Sequence, residues 1–136
     1  IAVVDTGIDV HHPDLAGQIV ETRDLVSDST GDHDELHGTA VAGVIAALAG
    51  NDEGIVGVAP GARLTALRAC WPAAPGEAGA ICNSLTLARA LDAVVRLRPQ
   101  VLNLSLTGPA DPLLGALLAK IVEAGVVVVA ASPGED

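Results

Sequence analysis

Two side chains in this sequence stand where acid–base chemistry could be done. Asp5 closes the β-branched run "IAVVD", and Thr6 and Gly7 follow as a turn that lets the backbone bend away. His37 opens "HGTAVAGVIAALA", a run in which residues 38–49 carry no charge. At the start of a helix the macrodipole presents its positive end, which disfavours imidazolium and keeps the ring neutral as a base. Gly38, Thr39 and Ala40 are small enough for that helix to press onto a sheet, so the apolar helix would serve as a rigid post for His37. Either residue alone is commonplace: an aspartate closing a strand is usually a turn former, and a lone histidine is usually a surface residue.

The elements that must position them follow from periodicity. Short apolar runs at 1–5, 62–69, 100–106 and 125–131 read as buried strands, with a weaker candidate at 19–25. Helices are expected over 38–49 and over about 84–97, the latter capped by Asn83 or Ser84 with Ala88, Leu91, Val94 and Val95 on one face. A third helix has Asp111 as cap and Pro112 in its first turn. It would turn Leu113, Leu114, Leu117, Leu118, Ile121 and Val122 inward and end at Gly125. Strand–helix alternation with near-continuous apolar strands predicts an α/β fold, a doubly wound parallel sheet with helices on both faces. Chemistry in such sheets gathers at the carboxyl ends of the strands. The first helix is apolar all round and needs enclosure on every side, which two neighbouring helices and one sheet face would not supply, so it is expected to be under-covered in this piece of the domain.

The 136 residues suit one domain, and no internal boundary or repeat divides 1–136. Half the residues are apolar but Trp71 is the only aromatic, so the core must be built from Ala, Val, Leu and Ile. A formal charge of −10 leaves neither cations for phosphates nor aromatic platforms for bases, which argues against nucleic acid. No apolar run reaches the roughly 18–20 residues of a membrane span. The chain begins without Met inside one strand-like run and stops just after another, as expected of a piece of a larger domain that would self-associate as a free chain. Cys70 and Cys82 bracket a Gly-, Pro- and Ala-rich loop. A disulfide there is favoured over two free thiols and points to an oxidising compartment, hence a secreted or periplasmic protein.

Taken together, "AVVDTGID" (2–9) and "HGTAVAG" (37–43) resemble the aspartate and histidine motifs of the subtilisin-like serine proteases, the subtilases, in the right order and with a separation of 32 positions from Asp5 to His37. The resemblance runs through most of the chain. "GVAPGARLTALRA" (57–69) is similar to the turn and strand after the histidine helix, "VLNLSLTGP" (101–109) to the substrate-pairing segment, and "GVVVVAA" (125–131) to the strand leading to the oxyanion hole. It implies a serine endopeptidase acting on polypeptides, with Asp5 orienting His37 and His37 acting as general base and then general acid. Leu104, Ser105, Leu106 and Gly108 would line the cleft that takes substrate as an added strand, Ser105 not being the nucleophile. The chemistry would need no cofactor. Some members of the family bind calcium through the aspartate of a turn similar to "HHPDL", and Asp14 with carbonyls of the 49–54 loop could make an oxygen-rich site, although the segment that often contributes before Ile1 is absent and no metal ligand is assigned.

Two features depart from the family pattern. No Gly-Thr-Ser occurs, and the family spacing puts the serine about 157 residues beyond the histidine, past Asp136, so the remainder of the catalytic domain must supply it and this piece alone should be inactive. The Ala-Gly-Asn expected after the valine run is replaced by "AASPGED", with Gly134 at the position of the oxyanion-binding Asn. Loss of such a donor typically costs about 10²–10³ in rate. A pseudoprotease of the same fold, retained to bind peptides, is therefore the alternative reading, and a flavodoxin-like receiver domain a more distant one. The acidic stretch 24–37, with Asp24, Asp28, Asp32, Asp34 and Glu35, reads as a solvated loop or as a preference for basic substrate side chains. His33 within it is expected to be exposed, and Asp9 to be a turn residue.

Overall fold

A computed structural model describes residues 1–27 and 33–132. Its main sheet has five parallel strands: β1 (Ala2–Asp5), β2 (Ile19–Asp24), β3 (Leu64–Arg68), β6 (Val101–Leu104) and β7 (Val127–Ala130), in the order β2-β3-β1-β6-β7. Three helices, α1 (Leu36–Ala46), α2 (Ser84–Leu97) and α3 (Pro112–Glu123), provide crossovers. The strand β1 is central, and its alternating side chains divide the core. Ala2 and Val4 pack with Leu91, Val94, Leu102 and Ile121 on the α2–α3 side, whereas Val3 joins Leu15, Ala42, Ala46 and Leu64 on the α1 side. The doubly wound sheet with helices on both faces is thus observed.

The chain crosses from β1 to the edge strand β2, steps back to β3 beside β1, and then passes β1 to β6 and β7, so later strands are added on both sides of β1. That places Asp5, the last residue of β1, at the crevice where such sheets hold their chemistry. Asn83 caps α2 through a reciprocal box with Thr86, and Asp111 caps α3 by accepting from the N–H groups of Leu113 and Leu114.

Several expectations needed correction. Helix α1 begins two residues before 38 and stops at Ala46 instead of 49, because the chain is pulled away: Leu48 N–H donates to Asp14 O, and Val58 and Ala59 N–H take the Val44 and Ile45 carbonyls. The incomplete cover expected for α1 is observed: Leu36 is 53% and Val44 58% exposed while Gly38, Ala42 and Ala46 form the buried stripe. Among the described residues β6 alone pairs with β7, which makes it an edge strand with Val127 and Val129 half exposed. In α3 Leu113 and Val122 face outward and Ile121 alone is fully buried. The segment between the cysteines also carries a small hairpin, β4 (Cys70–Trp71) paired antiparallel with β5 (Ile81–Cys82), which puts Cys70 directly opposite Cys82. The two are joined in a disulfide, as the spacing suggested.

Candidate active site

Asp5 is held at the sheet's centre and is completely buried. Its Oδ1 lies 2.6 Å from His37 Nδ1 and accepts the Thr6 N–H at 2.7 Å. With Asp5 ionised, Nδ1 carries the ring proton and Nε2 is left for a reacting group. Burial raises the affinity of Asp5 for a proton above that of an ordinary carboxylate; the hydrogen bonds from His37 and Thr6 pull the other way and do not cancel it. Among the described residues no donor reaches Asp5 Oδ2, which accounts for the incomplete compensation.

His37 is the second residue of α1, so the helix axis aims its positive end at the ring, as the sequence suggested. The close approach of α1 to β1 has a specific cause. A Cβ at Gly38 would stand 2.5 Å from Thr6 O and 2.6 Å from Gly7 O, a position only glycine can fill. The Gly38 N–H instead donates to Thr6 Oγ1 at 2.8 Å, tying the helix start to the residue after Asp5. At the next residue, Thr39 Oγ1 accepts the Asp9 N–H at 2.9 Å and donates to Glu35 O at 2.7 Å. Asp9 is the turn residue expected, its Oδ1 accepting from His11 N–H.

The ring of His37 borders a cleft of about 700 Å³ whose opposite wall is built from 79–84 of the hairpin and α2 start and from 105–111 beyond β6. Ser105, Leu106 and Gly108 line it together with His37. Leu104 lies in β6 and lines the adjoining apolar pocket with Leu87, Leu91, Leu114 and Leu118. Ser105 Oγ accepts from Asn103 Nδ2 at 3.0 Å. Ser84 Oγ donates to Asp111 Oδ2 at 2.5 Å across the rim, joining the starts of α2 and α3 and holding the Asp111 carboxyl below its ordinary proton affinity. The disulfide anchors the hairpin that forms one edge of this cleft. Gly134 lies outside the described residues.

Asp14 does not border the cleft. Its Oδ1 accepts from Asn51 Nδ2 at 2.7 Å and its Oδ2 from Ile55 N–H at 2.9 Å. The Asn51 bond first and the Ile55 bond second lower its proton affinity. Among the described residues no group of three acidic, His or Cys side chains gathers around it.

The acidic stretch before His37 is not simply solvated. Asp24 and Glu35 both bind Arg68 at the end of β3, and His33 Nε2 lies 3.1 Å from Asp24 Oδ2 rather than standing free in a loop. Asp28 and Asp32 fall outside the described residues. Arg68 and Thr6 were not singled out from sequence. The signal for Arg68 was present all the same: a lone cation closing the buried run "LTALR" needs anionic partners.

Comparison with known proteins agrees with this geometry. The family model described as the subtilase family matches residues 1–135. The chain is 37% identical over 146 residues to the major intracellular serine protease of Bacillus subtilis (strain 168), covering 99% of this chain and 42% of the relative. It is 36% identical over 138 residues to subtilisin E of the same strain, covering 99% and 34%. A crystal structure of a cold adapted subtilisin-like serine proteinase superposes with a TM-score of 0.77 at 23% identity, over 95% of this chain and 44% of that one, a likeness of fold. The chain thus spans less than half the length of each of these proteins.

Proposed function

Because the chain belongs to the subtilase family, we propose that it is the Asp- and His-bearing part of a serine endopeptidase domain whose nucleophile comes from the remainder of that domain. The observation that carries this reading is the 2.6 Å contact between Asp5 Oδ1 and His37 Nδ1, with the ring opening onto a cleft. Asp5 keeps the proton on Nδ1 and stabilises the imidazolium that forms as Nε2 takes the proton of the attacking hydroxyl. Nε2 then returns that proton to the leaving amine, and the acyl-enzyme is cleared by water in the reverse sense. Side chains and backbone N–H groups carry the bond cleavage, with no cofactor.

Substrate is polypeptide, laid extended beside residues 104–108, where the backbone leaves the sheet and its polar groups can pair with an added strand. The neighbouring pocket lined by Leu87, Leu104, Leu106 and Leu114 supports a preference for an apolar side chain. The half-exposed faces of α1 and β7 support docking of the rest of the domain and, in its absence, self-association. The disulfide supports maturation in an oxidising compartment, secreted or periplasmic.

The test is a serine-directed phosphonylating probe on the whole protein, read by intact mass, wild type beside His37→Ala. One adduct in the wild type, lost or greatly slowed in the variant, is expected. A folded wild type that takes no adduct would overturn the reading in favour of the peptide-binding pseudoprotease.

A further inference from the structure

Behind the Asp5–His37 pair lies a group of charges that the catalytic reading does not use. Arg68 sends Nε and Nη2 to Glu35 Oε2 and Oε1 at 3.1 and 2.7 Å, a two-pronged contact, and Nη1 to the Asp24 carboxylate at 3.2 and 3.3 Å. The three side chains are only 12%, 13% and 9% exposed. Glu35 Oε2 also accepts the Gly7 N–H at 2.5 Å. Glu35 stands two residues before His37, and Gly7 two residues after Asp5. One carboxylate therefore bridges the two segments that carry the pair.

Glu35 occupies the position whose side chain ordinarily caps a helix, yet it makes no capping bond; its carboxylate is turned to Gly7 and Arg68 instead. Buried ion groups of this kind seldom add stability over apolar packing, because desolvation offsets the attraction, and in some proteins their role is to fix one register. His33 is part of the same packing. Its Nε2 meets Asp24, and a Cβ on Gly7 would strike the His33 backbone and Cβ, so this segment lies flat against the β1 turn.

We propose that Glu35, held by Arg68, is a positioning residue that sets the Asp5–His37 contact by fixing the first turn of α1 to the peptide following Asp5. Its kinetic consequence rests on the endopeptidase reading; its geometric consequence does not. The experiment uses the whole protein with Glu35→Ala, Glu35→Gln and Arg68→Lys. Two quantities are read: kcat per titrated active site against KM, and the far-downfield proton resonance of His37 Nδ1–H. A misplacement on the order of 1 Å costs about 10²-fold. Glu35→Ala should therefore lose roughly 10- to 100-fold in kcat with little change in KM, and its resonance should shift or broaden. Arg68→Lys keeps the charge but not the fork, so it should show a smaller loss of the same kind. A folded Glu35→Ala protein with wild-type kcat per titrated site and an unmoved resonance would overturn the proposal, whatever its melting temperature. If Glu35→Ala does not fold, the isosteric Glu35→Gln decides by the same two readings: losses support the proposal, and wild-type values overturn it. If the wild type takes no active-site titrant, the endopeptidase reading fails, and the resonance in the same variants still supports or overturns the positioning role.

Discussion

Adding one methyl group at two glycines of α1 separates close approach from helix propensity. Gly38 and Gly43 lie five residues apart in the same helix. In an ordinary helix interior Gly→Ala stabilises by about 0.5–1 kcal/mol. At Gly43 a Cβ meets nothing within 4 Å, so Gly43→Ala should gain that amount in the chain described here. At Gly38 the Cβ would stand 2.5 and 2.6 Å from two backbone oxygens, and backbone cannot swing aside as a flexible side chain does. Relief requires the helix start to retreat by about 0.5–1 Å. Overpacking of this kind costs roughly 1–3 kcal/mol, which exceeds the propensity gain. The propensity gain is common to both, so the two variants should differ by about 1–3 kcal/mol in urea unfolding, with Gly38→Ala the less stable. The same retreat lengthens the 2.6 Å Asp5–His37 bond and breaks the Gly38–Thr6 one, so in the whole protein Gly38→Ala should lose about 10² in kcat/KM. Gly38→Ala matching Gly43→Ala in stability, with normal turnover, would refute the argument that contact between α1 and the β1 turn positions the ring.

Two further outcomes follow from the site. The proton affinity of Asp5 is raised in the fold, so its contribution to stability is fully present below the ordinary aspartate pKa near 4 and is lost as pH rises through the folded value. Wild type should therefore lose ground relative to Asp5→Asn as urea midpoints are followed from pH 3 to 7; a gap moving the other way would mean that the His37 bond outweighs burial. Reducing the Cys70–Cys82 bridge, which closes a short loop, should cost about 3 kcal/mol in the loop-entropy model, and an unfolding midpoint unchanged by dithiothreitol, with reduction verified by mass, would contradict it.

The sequence by itself determined the strand–helix alternation, the disulfide partners and the identity of the Asp5–His37 pair. These are properties of local pattern: β-branched runs, caps such as Asn83 and Asp111, and two motifs whose residue types are set by the chemistry. It could not settle what each element meets, since burial depends on neighbours distant in the chain. An apolar strand reads the same whether central or at an edge, which is why the half-exposed position of β7 was not legible in the valine run. Glu35, Arg68 and Asp24 looked like scattered charges, because their meeting depends on β2, β3 and the start of α1 ending at one place in space. Tertiary structure also decided how Asp5 is tuned. Its proton affinity reflects enclosure at the centre of the sheet with one oxygen bonded twice and the other lacking a donor among the described residues, a matter of solvation that no run of letters contains.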